Sequence, residues 1–154
     1  MQRTQATHWP RVLILWLCGI FAAMQFAKIS FAFLALQQVF ATTPAIMGLV
    51  LSTVGMVGLV FGVTMGVFAP AIAYRRLLLG GLALGAVVSA VQSLMPSLPL
   101  FWATRVLEGA SHLAVVVAAP TLIAASSGPR HRSIAMGLWS TFVGVAFALT
   151  SALG

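Results

Sequence analysis

Long apolar runs alternate along the chain with short interruptions that carry proline, polar or basic residues. Each run is about 20 residues or longer, the length of helix that crosses the hydrocarbon core of a bilayer. The pattern therefore predicts an all-α, polytopic transmembrane helix bundle with five spans, whose limits are set to within about three residues. The spans are 12–36, 44–68, 77–95, 100–125 and 134–154, joined by connections at 37–43, 69–76, 96–99 and 126–133.

The composition agrees with a chain whose main solvent is lipid. Of 154 residues, 61% are hydrophobic and 6% are charged, and Glu108 is the only acidic residue. A soluble domain has roughly a quarter of its residues charged, so most of this exterior must face the lipid bilayer. Cys18 is the only cysteine, which excludes an intrachain disulfide bond.

A formal charge of +7 also raises the question of nucleic-acid binding. Such binding requires basic residues that cluster on one solvated face, whereas here they stand in pairs between apolar runs, so we predict no nucleic-acid partner. The pairs are Arg3 and Arg11 before the first span, Arg75 and Arg76 after the second, and Arg130 and Arg132 after the fourth. By the positive-inside rule, this alternation predicts a plasma-membrane protein with a cytoplasmic N-terminus.

A cleavable signal peptide is the alternative interpretation of the first apolar run. Basic residues precede the run, and Phe21-Ala22-Ala23 offers small residues for cleavage. The run continues past Ala23 to Leu36, however, which is longer than a secretory signal requires.

Small residues recur every three or four positions in three of the spans. Such rows let helix backbones approach closely in lipid, so we predict that they are helix contacts with a structural role. The rows are Gly48, Ser52, Gly55, Gly58, Gly62 and Gly66 in the second span, Gly81, Gly85 and Ser89 in the third, and Gly137, Thr141, Gly144 and Ala148 in the fifth.

Four ionisable residues fall at membrane depth, where a charge costs several kcal/mol and usually marks function. Lys28 lies in the first span, and Arg105, Glu108 and His112 share one face of the fourth. Lys28 and Glu108 are each roughly 12 Å from the outer ends of their spans. We predict that Lys28, Arg105 and Glu108 converge on a polar pocket in the outer half of the membrane, with Gln25 as a neutral ligand.

Two cations against one carboxylate in such a pocket favour a negatively charged ligand. The alternative is a structural pair between Lys28 and Glu108, with Arg105 extending to the outer interface. His112 can be either a satisfied interior histidine or a solute-contacting proton carrier.

Residues for catalysis or for a cofactor do not stand out in the sequence. His8, His112 and His131 are dispersed, and there is no paired carboxylate or glycine-rich phosphate loop. Ser111 is adjacent to His112 and so points to a different face of the helix, which makes the two a poor nucleophile and base. We predict no enzymatic activity, no metal site and no cofactor.

Three short motifs resemble those of the major facilitator superfamily. Arg105-Val106-Leu107-Glu108-Gly109-Ala110 is similar to its R-x-x-[Q/E]-G motif in the fourth helix. The segment from Gly66 to Arg76 resembles the loop motif between helices two and three, with Gly66, Arg75 and Arg76 in matching positions, although Pro70 replaces the acidic residue. Arg132-Ser133-Ile134-Ala135-Met136-Gly137 is similar to the start of the fifth helix.

The resemblance implies a secondary transporter that binds its solute between two six-helix halves and works by alternating access. Residues 1–154 would form an incomplete N-terminal lobe, about five of twelve helices, with the remainder of the transporter as partner. The predicted function is transport of a small anionic solute. A small non-transporting membrane scaffold or assembly partner is the alternative. A channel is disfavoured because no ring of like charges is present.

Overall fold

The computed structural model describes residues 6–95 and 97–153, and these form helices with no strand among them. Five helical stretches are long and apolar enough to cross a membrane, which confirms the predicted all-α bundle. The helices are α1 (Trp9–Phe31), α2 (Phe33–Val39), α3 (Pro44–Ile72), α4 (Tyr74–Ser93), α5 (Leu98–Ser126), α6 (Arg132–Ser140) and α7 (Phe142–Leu153). Predicted features at Arg3, Pro96 and Gly154 lie outside the described residues.

Two of the predicted spans are each divided into two helices. The first ends as α1 at Phe31 and resumes as α2 after Ala32, and the fifth is divided at Thr141 into α6 and α7. At the first division the backbone N–H of Ala32 still donates to the carbonyl of Lys28, so no loop separates α1 from α2. Burial of Leu36 beside Met47 gives α2 an apolar contact at the N-terminal end of α3.

The connection predicted at 69–76 is wrong, because these residues are almost entirely helical. Helix α3 continues through Pro70 to Ile72, and α4 begins at Tyr74. Only Ala73 separates them, with a φ of 69°, a left-handed value that reverses the chain direction. Membrane helices tolerate an internal proline when other contacts satisfy the freed backbone groups. The prediction that Gly66, Arg75 and Arg76 belong to a loop is corrected accordingly, since Gly66 lies in α3 and both arginines lie in the first turn of α4.

Helix α5 is the centre of the bundle and packs against α1, α3 and α4. Apolar clusters lie towards its two ends, one around Phe101 and one around Val115 and Ile123. Between them the helix buries Arg105 and Glu108. The fold therefore encloses a polar layer between two apolar ones.

The glycine rows have different environments in different helices. A Cβ atom added to Gly81 would lie 2.9 Å from the Cβ of Ala114, so the predicted close packing of α4 is confirmed. Glycines of the other two rows have no atom within 4 Å of such a Cβ, so no described helix packs closely against them, and close packing there stays a prediction. These are Gly48, Gly55, Gly58, Gly62 and Gly66 of α3 and Gly137 and Gly144 of α6 and α7. Helix α3 contacts α5 through another face, where Gly109 of α5 would bring a Cβ within 2.8 Å of the Cβ of Val57.

One end of the bundle gathers most of the basic residues. Arg11 and Arg75 border the same cavity. The N-terminal segment is held to the loop after α5, because the amide of Gly128 donates to Thr7 Oγ1 at 2.9 Å and the amide of His8 donates to the carbonyl of Ser126 at 3.0 Å. The N-terminal segment, the junction of α3 with α4 and the loop after α5 therefore lie at one end, which we call the basic end.

Candidate functional site

An ion pair lies inside the bundle on helix α5. Arg105 Nη1 donates to Glu108 Oε2 at 2.5 Å, and the two residues are one helical turn apart. The relative exposure of Arg105 is 0% and that of Glu108 is 2%. The predicted alternative, in which Lys28 pairs with Glu108 while Arg105 extends to the interface, is therefore wrong.

Gln92 of α4 completes the environment of this pair. Its Nε2 donates to Glu108 Oε2 at 2.7 Å and to Thr104 Oγ1 at 3.1 Å. Gln92 is buried, so these bonds are shielded from solvent. The sequence analysis missed Gln92 because it considered mainly ionisable residues. A polar amide near the C-terminal end of an apolar span was the signal that could have identified it.

Several polar atoms of this network have no hydrogen-bond partner among the described residues. Buried polar groups in proteins are normally paired, so such atoms retain capacity for further hydrogen bonds. They are Glu108 Oε1, Arg105 Nε and Nη2, and Gln92 Oε1; outside the network, the Nδ1 atom of His112 also has no partner. The network thus offers both donors and acceptors beyond those it uses internally.

Lys28 stands beside this network but is bound to a different group. Its Nζ donates to Ser89 Oγ on α4 at 2.7 Å. Lys28, Ser89 and Gln25 border an open cavity of about 530 Å³ between α1, α4 and α7. A smaller cavity of about 310 Å³ is bordered by Lys28, Ser89 and Gln92. Gln92 therefore connects the surroundings of Lys28 with the carboxylate of Glu108.

Gln25 and His112 border different cavities. The amide of Gln25 lies against α4, where a Cβ on Gly85 would be 2.9 Å from Gln25 Oε1. His112 borders a separate cavity of about 360 Å³, between α1, α3 and α5, together with Gly55 and Gly109. The structure thus places Lys28 and Gln25 at one cavity, the buried pair behind Gln92, and His112 elsewhere.

Side chains that could bind a metal ion are dispersed in the part of the chain that the structure describes. Among residues 6–95 and 97–153, no three His, Cys, Asp or Glu side chains are grouped closely enough to hold an ion.

Comparison with known proteins identifies the family of the chain. The family model of the Major Facilitator Superfamily matches residues 15–154, which is most of the sequence. The comparisons with curated proteins and with solved structures found no match. The five spans fit an N-terminal part of that family's fold. The chain therefore belongs to the Major Facilitator Superfamily, a family of membrane transporters.

Proposed function

We propose that this chain takes part in secondary transport of a small anionic solute by alternating access, within a transporter of the major facilitator type. Family membership supports membrane transport in general. The observation that carries the anionic assignment is the environment of Lys28. Its ammonium group borders a cavity of about 530 Å³ and is hydrogen-bonded to a neutral hydroxyl, that of Ser89.

The charge balance supports an anion at this cavity. Glu108 is the only acidic residue of the chain, and its carboxylate pairs with Arg105. Lys28 therefore has no carboxylate partner among the described residues. A cation at membrane depth is costly without a counter-charge, and a bound anion would provide one. Gln25 and Thr150, which border the same cavity, would add neutral hydrogen bonds to the solute.

The buried pair has a different role in this proposal. Arg105 and Glu108 keep their charges behind Gln92, which borders the smaller cavity next to Lys28. Movement of Gln92 would remove the side chain that separates the buried pair from that cavity. His112 would contact the solute only from the cavity between α1, α3 and α5.

Alternating access requires a second group of helices against which this one can move. Halves of major facilitator transporters are related about an axis along the membrane normal and enclose the solute between them. The glycine row of α3, from Gly48 to Gly66, has no described helix packed closely against it. This open row offers a surface on which further transmembrane helices can pack closely. We further propose that the basic end faces the cytoplasm, with the chain in the plasma membrane, because basic loops are retained on that side.

A non-transporting scaffold or assembly partner is the second candidate function. The same open row, from Gly48 to Gly66 on α3, favours it, because a surface suited to close helix packing serves any membrane subunit equally well. Measured transport separates the two candidates.

The test is uptake into proteoliposomes that contain this chain together with the rest of its transporter. Radiolabelled phosphate, lactate and glutamate are compared with choline and glucose as solutes without negative charge. We expect uptake of at least one anion. Its uptake rate should fall at least tenfold in Lys28→Gln and be largely retained in Lys28→Arg. Arg76→Gln is the matched control, because it removes one positive charge at an exposed position far from the cavity.

Three outcomes would contradict parts of this proposal. Equal uptake by Lys28→Gln and the unmodified chain would remove Lys28 from the site. Preferential uptake of choline would contradict the anionic assignment. No uptake of any solute by correctly folded protein would favour the scaffold.

A further inference from the structure

A groove at the basic end is formed by three helices. Arg11 of α1, Arg75 of α4 and Ser126 of α5 border an open cavity of about 450 Å³. We call it the basic-end groove. Its remaining wall is entirely aliphatic and consists of Ile14, Leu15, Leu78, Leu79 and Leu122.

The positive charge of this groove is not neutralised by the chain itself. Arg11 and Arg75 are both exposed, and the only carboxylate side chain, that of Glu108, is buried beside Arg105. Helices α1 and α4 both begin at this end, so the positive ends of their dipoles point the same way as the two guanidinium groups. The mouth of the groove therefore attracts anions.

The aliphatic wall begins within about one helical turn of the arginines. Ile14 follows Arg11 by three residues and Leu79 follows Arg75 by four, which places each roughly 5–6 Å further along its helix. Ile14 is 60% exposed and Leu79 is 55% exposed in the isolated chain. A charged mouth above an aliphatic wall matches the boundary between the headgroups and acyl chains of a bilayer.

From this geometry we infer that the basic-end groove binds one anionic phospholipid. Its phosphate lies between Arg11 and Arg75 and accepts a hydrogen bond from the Ser126 hydroxyl, and one acyl chain runs along Ile14 and Leu79. Basic pockets between transmembrane helices are known to take anionic headgroups. The inference is independent of the proposed transport, because it requires only that the chain lies in a membrane.

The test is native mass spectrometry of the full chain. The protein is incubated in detergent micelles with either dioleoyl phosphatidylglycerol or dioleoyl phosphatidylcholine, and the lipid that stays bound after release from the micelle is measured. We expect the unmodified chain to retain one phosphatidylglycerol in preference to phosphatidylcholine. Each arginine near a membrane surface contributes about fivefold to the binding of anionic lipid, so Arg11→Gln/Arg75→Gln should weaken the phosphatidylglycerol complex by more than about fivefold.

The matched control is Arg76→Gln/Arg132→Gln. It removes the same charge from the same end but leaves the groove unchanged, so it should retain the bound lipid. Circular dichroism checks that each variant keeps its helices, and Arg75→Gln alone replaces the double variant if that one unfolds.

Three results would overturn the inference. Equal weakening by the two double variants would indicate a diffuse basic surface. Equal retention of both lipids would show that the headgroup charge is not recognised. Complete displacement of the lipid by millimolar glycerol 3-phosphate would assign the groove to a soluble phosphoester, which shares the glycerol phosphate of the lipid but has no acyl chain.

Discussion

Arg105 and Glu108 place two opposite charges inside the helix bundle, and each depends on the other. Removing a charged group from water costs several kcal/mol, and the attraction between partners offsets this only when the geometry is good. Here the pair is direct, and Gln92 adds a second donor to Glu108 Oε2. Loss of either partner would leave an uncompensated charge at a place that water reaches poorly.

Substitution of the pair should show this dependence directly. We expect Arg105→Met and Glu108→Gln each to lower the free energy of unfolding, Arg105→Met by roughly 3–5 kcal/mol. The double variant Arg105→Met/Glu108→Gln should lose less than the sum of the two, because it removes both charges. Chemical denaturation in detergent micelles, followed by tryptophan fluorescence, gives the three values. Strict additivity would show that the pair does not interact as the structure indicates.

At the scale of helices, α5 approaches its neighbours through glycine. Gly109 allows contact with α3, where an added Cβ would lie 3.2 Å from the Cα of Val54. Gly81 and Gly85 of α4 allow the equivalent approach to α5 at Ala114 and Ser111. Because the atoms opposing Gly109 are the branched Val57 side chain, whose Cβ is fixed to the backbone, and the Cα of Val54, the helices cannot adjust locally to a larger residue.

Two glycine substitutions compare a glycine that packs against another helix, Gly109, with one that has no close neighbour, Gly62. We expect Gly109→Ala to lower the free energy of unfolding by roughly 1–3 kcal/mol, because α3 must shift away from α5. Gly62→Ala should be neutral or slightly stabilising, since alanine favours helix and nothing lies within 4 Å of the new methyl group. Thermal unfolding of both variants in the same detergent tests the contrast. A loss at Gly62 as large as that at Gly109 would contradict the arrangement of α3.

On the scale of the whole molecule, the helix count sets which connections share a side of the membrane. Three segments meet at the basic end, and the connections after α2 and α4 lie at the other. An odd number of spans, five, leaves the two ends of the described chain on opposite sides.

Accessibility labelling checks this arrangement. In a Cys18→Ser background, we expect Arg76→Cys and Ser133→Cys to react with an impermeant maleimide from one side of sealed vesicles. Gln38→Cys and Ser97→Cys should react from the other side. Labelling of Arg76→Cys and Ser133→Cys from opposite sides would contradict the five-span fold. If the basic end is cytoplasmic, inside-out vesicles expose the first pair.

The sequence by itself determined the number of spans and their approximate limits, because crossing a bilayer needs a fixed length of apolar helix. It also determined that Arg105 and Glu108 share a helical face, since residues three apart in a helix are neighbours. It misplaced the junction of α3 with α4, because proline and arginine usually mark a loop, whereas Ala73 alone makes this turn.

Only the tertiary structure decided which charges pair and which faces touch. Depth along a helix can be counted from the sequence, but the rotation of each helix about its axis depends on all its neighbours. Lys28 therefore meets Ser89 instead of Glu108, and Gln92 enters the buried network. For the same reason, the longest glycine row, on α3, makes no close contact with a described helix, whereas Gly109 of α5 packs closely against α3.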